Sequence, residues 1–156
     1  MTTTYESATA DLIAAIEHVV EPWLLRIAID RYGAHRGEVD SRFREDAAVA
    51  ARDGACWTIE RLKSTLEIDV DAQRINPLQV LREVVKFPSA VLSRAGVPPV
   101  VRDEYDERIN PDDIYGIGPA HWNDIDESLA EPGIVWGAAK ASTVLQRRRA
   151  EGKLES

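Results

Sequence analysis

Apolar residues near the start of the chain fall at three- and four-residue intervals: Leu12, Ile16, Val19, Val20, Trp23 and Ile27, with Glu17, Glu21 and Arg26 between them. That period matches one face of a helix over 7–32. Pro22 interrupts it. A proline inside a helix costs about 3 kcal/mol, whereas at a first helical position its missing N–H is harmless. The pattern therefore allows one kinked helix or a break near Glu21 into two, ended by Gly33 and Gly37.

Asp40 and Ser41 offer capping oxygens for a second long helix, in which Phe43, Ala47, Ala50, Ala51, Ile59, Leu62 and Leu66 keep roughly one face. Its alanines would let a neighbouring helix come close, while Gly54 weakens its middle and Trp57 adds bulk further along. The string NPLQVLREVVKFPSAVLSRAG predicts two short helices, opened by Asn76 with Pro77 and by Pro88, with Gly96 as terminator. A last helix over 134–149 sets Ile134, Ala138, Ala141 and Leu145 on one stripe. It ends in Arg147, Arg148 and Arg149, cations that suit a helix C-terminus.

Helical periodicity predicts an all-α fold, a compact helical domain that buries leucine, isoleucine and valine together with Trp23, Trp57 and Trp136. At 156 residues, with no internal repeat or linker, the chain has room for one domain over 1–156. A hydrophobic fraction of 44% excludes a wholly disordered chain. The most apolar stretch, 12–29, is broken by Glu17, His18, Glu21, Pro22 and Arg26, so it does not read as a membrane span. No basic leader precedes it, and the single cysteine, Cys56, cannot form an internal disulfide, so a cytoplasmic location is expected. Beside Trp57 and in an alanine-rich helix, Cys56 reads as a small buried hydrophobe.

Charge changes the picture between residues 103 and 131. Ten carboxylates stand there against Arg108 alone, a net −9 in a chain whose total is −8, so the acidity is confined to one segment. Gly116, Gly118, Pro119, Pro132 and Gly133 make much of this segment loop, while its apolar residues anchor it over the helices. The expected role is a noncatalytic interaction protein that docks a basic protein surface. Asp103, Glu104, Asp106, Glu107, Asp112, Asp113, Asp124, Asp126 and Glu127 would steer the partner, with Tyr105, Tyr115 and Trp122 as anchors. A homo-oligomer is compatible with the same composition.

The alternative is a metal-dependent enzyme or metal-binding protein using Asp112, His121 and Asp124, an oxygen and nitrogen donor set for a divalent cation. An EF-hand does not fit: counted from Asp124, the sixth residue is Leu129 and the twelfth Val135. HEXXH, a phosphate-binding loop and a GxSxG elbow are absent, and GIG at residues 116–118 precedes Pro119 rather than a helix. His18 and His35 have no partner at diagnostic spacing, and no cofactor is expected. Nucleic acid is disfavoured as a partner, because Arg31, Arg36, Arg42 and Arg44 alternate with Asp30, Glu38, Asp40, Glu45 and Asp46 in an acidic chain.

The stretch AGVPPVVRDEYDERINPDDIYGIGPA and the helix start EPGIVWGAAKA resemble a group of small actinobacterial cytosolic proteins of unknown function. The likeness covers about half the chain. It implies no activity and no catalytic residue.

Overall fold

Every regular element among the described residues is helical, and no strand occurs among them. The structure, a computed structural model, describes residues 4–66, 76–100 and 113–152. Helix α1 spans Tyr5–Arg36, α2 Ser41–Leu66, α3 Pro77–Glu83, α4 Lys86–Arg94 and α5 Ala130–Ala150, with two single 3-10 turns, Trp122–Asp124 and Glu127–Leu129, leading into α5.

Thr4 starts α1 by accepting a hydrogen bond from the Ser7 N–H at 3.0 Å. The helix then runs unbroken through Pro22. Pro22 is exposed, so the carbonyl it leaves without a donor faces water, while Val20, Trp23 and Leu24 on either side are buried and tie both halves of the helix to the core. Asp40 turns the chain into α2. Its carboxylate accepts from the Phe43 N–H at 2.7 Å and from the Tyr32 hydroxyl at 2.8 Å, and the Tyr32 and Phe43 rings stack with centroids 3.9 Å apart. The Phe43 N–H, and after it the Tyr32 hydroxyl, hold the Asp40 carboxyl below the usual carboxylate range.

The core lies along α1. Leu12, Ile16, Val20 and Leu24 meet Leu62 of α2, Val80 and Leu81 of α3, and Trp136 of α5 in one cluster; Ala28 and Tyr32 continue into a second with Phe43, Ala47, Leu92 and Tyr115. Gly54 contributes more than flexibility. A Cβ there would lie 2.7 Å from a Leu24 methyl and 3.3 Å from Val84, so the bare backbone is what allows α1, α2 and the α3–α4 turn to close up.

Four local expectations are corrected. The second short helix begins at Lys86, two residues before Pro88, because the chain turns at Val84 and Val85 and continues without a new loop. Trp57 is only half-buried, with the Lys86 ammonium 4.2 Å from its ring centroid. Cys56 is exposed. The buried face of α2 runs through Ala47, Ala51, Gly54, Thr58 and Leu62, and Cys56, two residues from Gly54, points nearly the opposite way. The last helix begins at Ala130 rather than near residue 134, so Pro132 and Gly133, read as loop, lie inside it; the stripe of Ile134, Ala138, Ala141 and Leu145 is present and faces solvent, while Gly133, Trp136 and Ala139 face the core. Trp136 decides that rotation, since its ring is buried and its indole N–H donates to the Thr9 hydroxyl at 3.1 Å. No described helix is long and apolar enough to cross a membrane.

Candidate functional site

The acidic segment enters the described part of the molecule at Asp113 and crosses the helices before starting α5. Its first anchor is Tyr115, 1% exposed, whose hydroxyl donates to the Val97 carbonyl at 2.7 Å. The Val100 N–H donates to the Ile114 carbonyl at 2.9 Å, which holds the 97–100 stretch beside the same turn. Arg82 on α3 fixes the next residues, donating from Nε to the Pro119 carbonyl at 2.9 Å and from a terminal nitrogen to the Ala120 carbonyl at 3.1 Å.

Carboxylates do much of the local folding. Asp113 is 7% exposed and accepts from the N–H groups of Ile117, at 3.1 Å, and Gly118, at 2.7 Å. Asp124 accepts from the N–H groups of Ala120 and His121, both at 2.9 Å. Asp126 accepts from the Ser128 N–H at 3.0 Å and from the Ser128 hydroxyl. That hydroxyl first, then the N–H, with smaller contributions from nearby Arg26 and His18, hold the Asp126 carboxyl below its ordinary range. These are the local side-chain to backbone bonds that make aspartate a turn-former.

The sequence-derived site residues therefore separate into three groups. Asp103, Glu104, Tyr105, Asp106, Glu107 and Asp112 lie outside the described residues. Asp113 and Tyr115 are inside the body, so a partner cannot meet the Tyr115 ring. Trp122, Asp124, Asp126 and Glu127 remain at the surface, Trp122 half-buried because its indole lies flat where a Cβ on Gly133 would otherwise be. His121 is exposed, and Asp124 is turned back onto the chain. Among the described residues no three histidine, cysteine, aspartate or glutamate side chains are placed to share a metal ion.

What the fold does bring together is a second set of acids. Asp11 of α1, Glu127 of the second 3-10 turn and Glu131 in the first turn of α5 line one cleft of about 340 Å³, with Ala8, Pro132 and Val135 as its apolar surface. Among the described residues none of these three carboxylates is in an ion pair. Buried Leu129 and Ile125 set the cleft's position, with Arg26 donating to the Ile125 carbonyl at 3.1 Å. Asp11 was not among the sequence-derived candidates. Its only signal is its place next to Ala8 and Leu12 on the buried stripe of α1, which puts it at the edge where another element must pack.

No protein-family model, curated protein or solved structure matches the chain.

Proposed function

We propose that this chain is a noncatalytic docking protein whose acidic flank binds a basic segment of a protein partner. The cleft of Asp11, Glu127 and Glu131 is the observation that supports this reading. Three carboxylates from three elements stand over an apolar floor, the chemistry that a lysine or arginine side chain satisfies with its methylene stem and its charged head together. Asp124 and Asp126, which cap the turns leading to the cleft, add to the field that draws a cation in. Charge then sets the rate of encounter, and contact with the floor and the open edge of Trp122 sets the lifetime.

The test is fluorescence anisotropy of a labelled arginine- and lysine-rich peptide against the full chain. Binding that weakens steeply with salt is expected, and the triple variant Asp11→Lys, Glu127→Lys, Glu131→Lys should weaken it by at least about tenfold. Equal affinity of the triple variant and the parent chain would remove the cleft from the reading.

A further inference from the structure

The face of α5 turned away from the body is apolar, and its sequence reads nearly the same in both directions. Ile134, Ala138, Ala141 and Leu145 lie within about 60° of arc at 3.6 residues per turn, opposite the buried Gly133, Trp136 and Ala139. Ile134 is 70% exposed and Leu145 44%, large aliphatic groups held in water on a helix that has other surface to bury.

Laid antiparallel against a second copy about a two-fold axis between Ala138 and Ala141, this face complements itself. Ile134 meets Leu145, Ala138 meets Ala141, and Glu131 meets Arg148, each pair occurring twice. Glu131 and Arg148 are both exposed. Small residues at the centre, with Gly137 and Ser142 beside them, let the two helices approach closely, so that the aliphatic ends interlock. A parallel pairing would instead set Glu131 beside Glu131 and Arg148 beside Arg148.

We propose that the chain self-associates as an antiparallel two-fold dimer through the outer face of α5. The proposal rests on the docking reading of the acidic cleft and names its basic partner: the arginine end of a second copy's α5, which this register delivers to Glu131 at the cleft's rim. Opposite charge at both ends and apolar contact between them specify a second copy rather than an unrelated helix.

Sedimentation of the full chain between about 1 and 200 µM tests it. The parent chain should shift from monomer to dimer, and Ala138→Glu, which puts like charges near the axis at an exposed position, should abolish the shift while leaving the thermal midpoint at about 1 µM, where the parent is monomeric, unchanged. Glu131→Arg and Arg148→Glu should each weaken self-association about tenfold, since each homodimer then carries two like-charged pairs. An equimolar mixture of these two variants should dimerise within about twofold of the parent, because every facing pair in the mixed dimer is again opposite. A chain that stays monomeric throughout overturns the dimer. If it still binds the basic peptide, the docking reading survives alone; if it does not, both fall. A dimer unaffected by Ala138→Glu, or variants that do not restore each other on mixing, also overturns the proposal.

Discussion

The helical body and the acidic crossing of residues 113–129 are built by different means. Around α1 the chain is held by apolar side chains that are almost fully buried, such as Leu12, Ile16, Leu62 and Leu81, at a spacing that repeats along each helix. Across the crossing, order comes from carboxylates and one arginine gripping backbone groups: Asp113 on Ile117 and Gly118, Asp124 on Ala120 and His121, and Arg82 on Pro119 and Ala120. Apolar burial scales with area and is indifferent to partner identity, whereas these polar bonds are few and directional, so each one locates the segment. A carboxylate rich in a sequence can thus be a fold-former, a docking charge, or both.

Removing one member of each class should separate the two regimes. The largest effect is expected in the body: Leu12→Ala should destabilise by about 2–5 kcal/mol in denaturant unfolding, through lost transfer energy and the cavity left among well-packed neighbours. A smaller loss at this site would mean that the surrounding helices can close over it. In the crossing, Asp113→Ala leaves the Ile117 and Gly118 N–H groups without their acceptor and should cost about 1–3 kcal/mol. Amide hydrogen exchange should quicken over 113–120 while the protection of α1 is retained. Uniform loss of protection would show that the crossing and the body unfold as one unit.

The smallest effect is a matter of pH. Asp40 and Asp126 bind a proton less readily in the folded chain than in the unfolded one. Their contribution is therefore complete above about pH 4 and fades as the pH falls through the lowered folded-state pKa. Unfolding midpoints of the double variant Asp40→Asn, Asp126→Asn should run below those of the parent near neutrality and converge with them on acidification. A constant separation across the acid range would show that neither carboxylate is preferentially charged in the fold. Tyr32 is coupled with the opposite sense: the accepting Asp40 carboxylate raises its phenol pKa, so its share is lost only as the pH rises past that of a free tyrosine.

The order and type of the elements were legible in the apolar period. Leu12, Ile16, Val20 and Trp23 mark the buried face of α1, Ala47, Ala51 and Leu62 that of α2, and Asn76 with Pro77 the start of α3. Rotation was legible only where one stripe was apolar. On α5 two stripes compete, Ile134 to Leu145 and Gly133 to Ala139, and the less aliphatic one is inside because Trp136 and the bare Gly133 fit α1 and Trp122. Tyr115 likewise read as a surface anchor because its neighbours are acidic, yet the neighbours in space, Val97 and Leu92, are not its neighbours in sequence.

Local chemistry alone settled that this chain is helical, where α2 and α3 start, and that its negative charge is gathered in one segment. Those properties depend on residues within a turn or two of one another. Which face of α5 is hidden, which carboxylates are consumed as caps, and the meeting of Asp11 with Glu127 and Glu131 more than a hundred residues away were decided by tertiary packing. Side chains at such separations acquire a common environment only once α1, the 3-10 turns and α5 have buried their apolar faces against each other.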